Sequence, residues 1–136
     1  MAKILRLTDT VIISVGDVKF HISPLSHEKK IELANCTKVV GGVDHYDLAA
    51  AQRLYVKYGL KKIEGVEGYE KEPYELQFDE NGNLTDDCIS EVFSLEQRTD
   101  FTVAAWQLLN GMKPLINPGT GKPLKGVTAE VVSKGK

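Results

Sequence analysis

Long apolar runs, paired cysteines and spaced histidines are all missing from this 136-residue chain. No apolar stretch approaches the roughly 18 residues that a membrane-spanning helix needs. The opening MAKILRLTDTVIISV carries a lysine and an arginine, but Thr8-Asp9-Thr10 breaks its apolar stretches, which does not fit a signal peptide. A cytosolic location is therefore expected. The two cysteines, Cys36 and Cys88, form no CxxC pair. In a reducing compartment they read as buried free thiols. Asn35-Cys36-Thr37 and Asn83-Leu84-Thr85 fit a glycosylation sequon, which means nothing without a secretory signal. His21, His27 and His45 share no ligand spacing such as HxxxH, so no metal or cofactor is expected and each reads as surface or half-buried. A Cys–His dyad stays open, because such partners meet only in space. A basic face is also lacking before the last 26 residues. Residues 111–136 hold five lysines against Glu130, a net +4, and with −2 overall the rest carries −6. That balance argues against nucleic acid as a partner of the main body.

What is present suits one domain with an ordinary core. The length, an apolar share of 42% and a charged share of 26% are typical of a globular chain that needs neither metal nor disulfide to fold. Val11–Val15 and Val18–Ile22, separated by Gly16-Asp17, predict a hairpin that Pro24 ends. Ser26 caps a first helix with Ile31, Ala34 and Val39 as its apolar stripe and Gly41-Gly42 as its stop. A second helix is expected over Asp47–Tyr58, with Leu48, Ala51, Leu54, Tyr55 and Tyr58 on one face and Gly59 closing it. Leu60–Val66 reads as an edge strand because of its lysines, and Tyr74–Phe78 alternates like a half-buried strand. Asp79 to Gly82 turns the chain. Thr85 then caps a helix with Asp86 and Asp87 in its first turn, Leu84 stapled to Ile89, and Ile89, Val92 and Phe93 buried. Ser94-Leu95-Glu96-Gln97 resembles a capping box for a last helix bearing Phe101, Ala104, Ala105, Leu108 and Leu109, closed by Asn110-Gly111.

Three of the five prolines, at 114, 118 and 123, follow Gly111 and exclude helix there. Three fates are open to this segment: disorder, a short strand at Val127–Val132, or docking on a partner. The expected architecture is α+β, one or two small hairpins beside about four helices. It divides into a globular domain over residues 1–111 and a flexible or partner-docking tail over 112–136.

No constellation for chemistry stands out. Asp79, Asn81 and Asn83 suggest the start of a calcium loop, but Leu84 replaces the required glycine and Ser90 the closing acid. Gly119-Thr120-Gly121-Lys122 lacks the hydroxyl residue of a phosphate loop, Pro123 standing in its place. The acidic runs at Glu64–Glu75 and Asp79–Asp87 read as solvated surface, since no apolar pocket is indicated for a catalytic carboxylate. Trp106, the lone tryptophan, reads as core or, more sharply, as a partner-facing anchor. A non-enzymatic protein is expected.

The early strand with PLSHEKKIELA, then LYVKYGLKKIEGVEG, YELQFDENGNLTDDCISEVFSLE and WQLLNG resemble, in order and spacing, the tail assembly chaperone-like proteins of long-tailed bacteriophages. The resemblance spans roughly residues 11 to 111 and carries no catalytic signature. It implies a small protein of the host cytoplasm, made late in infection. Such a protein binds the tape measure protein, keeps it soluble and assists assembly of tail-tube subunits around it. In many such phages a longer form arises by ribosomal frameshifting. The family supplies no defined site residues. A structural virion subunit that stays in the particle is the alternative, and a homo-oligomer is compatible with either. A small enzyme whose site assembles only in three dimensions is a third possibility. Because apolar residues continue past Gly111, a client groove is expected at Trp106, Leu109, Met112, Leu115 and Ile116.

Overall fold

The computed structural model describes residues 4–109, 117 and 119–132, with the backbone alone for Leu108 and Leu109. The α+β expectation holds: the described residues form four helices, a four-stranded antiparallel sheet and a separate two-stranded hairpin.

The sheet begins with β1 (Thr10–Val15) and β2 (Val18–Ile22), joined at Gly16-Asp17. Gly16 has φ of +59°, a left-handed conformation that a tight two-residue hairpin turn requires. Alternation then sorts the side chains. Val11, Ile13, Val15, Val18, Phe20 and Ile22 are all buried, whereas Lys19 is exposed and His21 half-buried. β5 (Leu60–Glu64) adds to the free side of β2, setting Ile63 opposite Phe20. β6 (Val127–Val132) adds to the free side of β1, with Ala129 opposite Ile13. The order is β5-β2-β1-β6, so the charged Leu60–Glu64 segment is an edge, as expected. Of the three fates open to the last segment, its residues 127–132 take that of a strand. The sheet therefore draws on both sides of the division placed at residue 111.

The helices cover the buried face. α1 (His27–Ala34) starts at Ser26, whose hydroxyl accepts from the Lys29 amide at 3.3 Å. Its buried residue is Leu33, not the expected Ile31 or Ala34, which are exposed. α2 (Leu48–Gly59) starts at Asp47, whose carboxylate accepts from the Ala50 amide at 3.1 Å. α3 (Asp86–Val92) starts at Thr85, whose hydroxyl accepts from the Cys88 amide at 3.3 Å. α4 (Arg98–Leu109) places Phe101 on Phe20, ring centroids 4.0 Å apart and planes 11° from parallel. That stack joins the helical layer to the middle of the sheet.

Four expectations are corrected. The first helix stops at Ala34, and Gly41-Gly42 turn a hairpin instead, between β3 (Thr37–Val40) and β4 (Val43–Tyr46). Both glycines have positive φ, +60° and +80°, as a two-residue turn of the favoured hand demands, and the valines beside them favour strand. Gly59 is the last residue of its helix, without the positive φ of a C-terminal cap. It leads directly into β5: the Ser23 amide donates to its carbonyl at 2.8 Å, and a Cβ there would meet the Ser23 carbonyl oxygen at an ordinary contact distance of 3.4 Å. Tyr74–Phe78 forms no ladder strand. Its backbone is satisfied piecemeal, Tyr74 donating to the Val66 carbonyl and Gln77 accepting from the Thr85 amide, and Phe78 is exposed. Finally, Ser94 does not cap α4. Its hydroxyl donates to the Glu91 carbonyl at 2.6 Å, and α4 begins four residues later, at Arg98.

On the outer sheet face His21 and Glu64 pair at 2.7 Å. This hydrogen bond is the largest influence on the Glu64 carboxyl and lowers its pKa from 4.5. A lowered folded value means that the carboxylate's contribution to stability is present above the ordinary carboxylate range and lost as pH falls through the folded value. Glu64→Gln should therefore lower the urea midpoint slightly at pH 7 and leave it unchanged at pH 3. A difference that persists at pH 3 would remove this account.

Candidate functional site

Trp106, which the sequence leaves open between core and partner-facing anchor, is half-buried on α4 and walls a cavity of about 240 Å³. Leu25 before α1, Lys30, Leu33 and Ala34 on α1, Tyr46 at the end of β4 and Tyr55 on α2 complete the lining. Each wall follows from local structure. Ser26 fixes the start of α1, so one turn later Lys30, Leu33 and Ala34 share a helix side. The Gly41-Gly42 turn returns the chain so that Tyr46 reaches α1, where its hydroxyl donates to the Leu33 carbonyl at 3.1 Å. Burial, with the Cys36 thiol as a smaller influence, raises the Tyr46 pKa. Its phenol is neutral across the physiological range.

The inner wall holds the most unusual group. Tyr55 is 3% exposed, and its hydroxyl is buried with no hydrogen-bond partner among the described residues. Burial pushes its pKa well above 10, so the phenol keeps its proton and can both donate and accept. A buried hydroxyl left unpaired costs about 1–3 kcal/mol, and most such groups have a partner.

Outside the cavity, β3 and β4 carry exposed apolar residues on both faces. Val39, Val40, Val43 and Tyr46 are 69%, 53%, 58% and 43% exposed. The register pairs Thr37 with Tyr46 and Val39 with Asp44, so Val39 lies on the Tyr46 face of the hairpin, while Val40 and Val43 share the other.

Of the expected groove residues, the structure assigns Trp106 to this cavity. Leu109 ends α4 with its side chain outside the description, and Met112, Leu115 and Ile116 lie outside the described residues. The other cavity residues were not singled out by sequence reasoning. Tyr55 lies on the apolar stripe expected for its helix, and Tyr46 belongs to a hairpin whose Gly41-Gly42 turn reads in sequence as a helix end.

The remaining candidates are placed separately. His21 is on the outer sheet face, His27 opens α1 and His45 lies in the exposed hairpin. Among the described residues no group of three or more His, Cys, Asp or Glu gathers to hold a metal. Cys36 and Cys88 are free thiols, the first half-buried and the second buried. Asp79 acts as a turn former, its Oδ1 accepting from the Asn81 and Asn83 amides at 2.8 and 3.0 Å. Asn117 does likewise for Gly119, which makes the glycine–lysine segment a turn. Tyr74 donates to Glu91 at 3.0 Å and touches the Cys88 sulfur at 3.4 Å. Burial and those hydrogen bonds raise its pKa, beside a broad opening bordered by Glu67, Glu70 and Glu72.

Comparison of the chain with protein-family models, curated proteins and solved structures finds no match. None of the helices among the described residues is long and apolar enough to cross a membrane.

Proposed function

We propose that this chain is a non-enzymatic client-binding protein of the phage tail assembly chaperone kind, acting in the host cytoplasm on the tape measure protein. The observation that supports the reading is an open apolar cavity, walled by Trp106 and Tyr46, with exposed Val39 on the Tyr46 face of the same hairpin. A soluble domain that leaves such a surface uncovered has a use for it in association. A tape measure protein is long and largely helical, and its apolar stripes aggregate until a tube encloses them. An apolar face offered to one stripe at a time would protect it. Burying about 400 Å² of apolar surface contributes roughly 10 kcal/mol, against an association cost of about 4–15. Single contacts are therefore weak and reversible, and many copies along one client give avidity.

Co-expression with the tape measure protein of the same genome tests this directly. The client's soluble fraction should rise several-fold, and this chain should be absent from finished particles by mass spectrometry. Stoichiometric presence in particles would favour the structural-subunit alternative. An unchanged soluble fraction would defeat the chaperone reading.

A further inference from the structure

The two edges of the sheet are unequally defended. β5 carries Lys61, Lys62 and Glu64, shifts register against β2 between His21 and Ile22, and has the Lys61 ammonium donating to the Gly82 carbonyl at 3.3 Å. Charged side chains and an irregular register keep an edge from pairing with another chain. β6 lacks these guards. Its residues run in unbroken register with β1, Glu130 is its one charge, and among the described residues no strand lies beyond it.

One contact fixes where its free backbone groups point. The Gly16 amide donates to the Gly126 carbonyl at 3.1 Å. Antiparallel residues alternate between pairs that exchange both backbone bonds and pairs that exchange none. Thr128, Glu130 and Val132 therefore turn their amides and carbonyls to β1, and Val127, Ala129 and Val131 turn theirs outward. A second β6, running the opposite way about a two-fold axis at Ala129, sets Val127 against Val131 and Ala129 against itself. Every outward group then has a counterpart, and on the other face Thr128 meets Glu130. Moving the axis to Glu130 would bring two carboxylates face to face. Val131 adds an apolar reason: it lies on the helix-covered face with Val127 and Ala129 yet is 49% exposed, so the helical layer stops short of it.

We propose that β6 pairs antiparallel with β6 of a second copy of this chain, about a two-fold axis at Ala129, to make one continuous sheet. The pairing consumes the undefended edge and leaves the guarded one outside, so assembly closes at two copies. Residues of the same face meet, which puts both helical layers on one side of the joined sheet. The contact is one strand from each copy, and its size belongs with weak, reversible interfaces. Under the client-binding reading, such a dimer engages one client twice and gains avidity without a new client contact.

Sedimentation equilibrium of the full chain should show a monomer at about 10 µM and a dimer, with nothing larger, near about 1 mM. Amide exchange at Val127, Ala129 and Val131 should slow about fivefold or more between those concentrations, while Thr128 and Glu130 stay protected at both. Thr128→Lys faces Glu130 of the second copy and should tighten the dimer about threefold or more, whereas Thr128→Glu should weaken it by as much. Thr128 is exposed, so neither change should disturb the monomer. Val131→Lys should abolish the dimer and leave the melting temperature of the dilute chain unchanged. A monomer at about 1 mM would overturn the pairing, as would a dimer indifferent to both Thr128 variants, or growth into longer chains. Protection of the outward amides by client alone, with the chain still monomeric, would assign the edge to a client strand and equally overturn it. Dimerisation is scored without client, so its failure leaves the client-binding reading standing, and an insoluble client beside a confirmed dimer removes that reading alone.

Discussion

Phe20→Ala is expected to lower the unfolding free energy by about 3–5 kcal/mol, the range for removing a fully buried phenylalanine. Phe20 has no exposed surface and lies between Ile13 and Ile63 in the sheet register. Its ring stacks on Phe101 at 4.0 Å, so truncation opens a cavity at the junction of sheet and helix. The surrounding side chains come from three different elements and cannot all close on the void. Domains of this size are stable by about 5–15 kcal/mol, which makes the loss a large share of the total. The check is urea unfolding: the midpoint should fall with little change in slope. Phe101→Ala should cost a similar amount, and the double variant less than their sum, because both remove one shared contact. Full additivity would mean that the stack contributes nothing beyond separate burial.

The parts of this fold legible in sequence are those decided within a few residues. Thr85 with Asp86 and Asp87 announces a helix start because the hydroxyl meets an amide three positions on, and that contact forms as read. The first hairpin is legible for the same reason, with its turn and alternation adjacent. Gly41-Gly42 shows the limit. Two glycines end a helix or turn a hairpin equally well, and the choice is made by Thr37, Val39 and Val43 around them. Tyr74–Phe78 alternates correctly yet finds no strand beside it; alternation states which face is wet, not whether a partner exists. β6 pairs with β1 across more than a hundred residues, a contact that no local pattern announces. The cavity is the extreme case. Its walls come from α1, β4, α2 and α4, and the unpaired Tyr55 hydroxyl becomes visible only when all are assembled. Trp106 stands out in the sequence by residue type, as core or as a partner-facing anchor, whereas its partners in the wall carry no such mark.

The sharpest functional contrast is expected between the two faces of the β3–β4 hairpin. Val39→Lys places a charge on the face shared with Tyr46, beside the cavity. Its cross-strand neighbour is Asp44, so the lysine gains an opposite charge and the hairpin itself should be unharmed. A client laid over this face must then cover a charge, at a cost on the order of 2 kcal/mol, or about thirtyfold in affinity. Val43→Lys adds the same charge on the opposite face, next to Val40, and should leave client binding within about twofold. Because both valines are more than half exposed, neither change should shift the melting temperature much. The paired measurement separates surface chemistry from folding. A thirtyfold loss with Val39→Lys alone locates the client on the cavity side, because the two variants differ in face and not in charge. Equal losses would mean that the whole hairpin is engaged, as an arm inserted into a neighbour would be, and the structural-subunit alternative would then account better for the exposed valines.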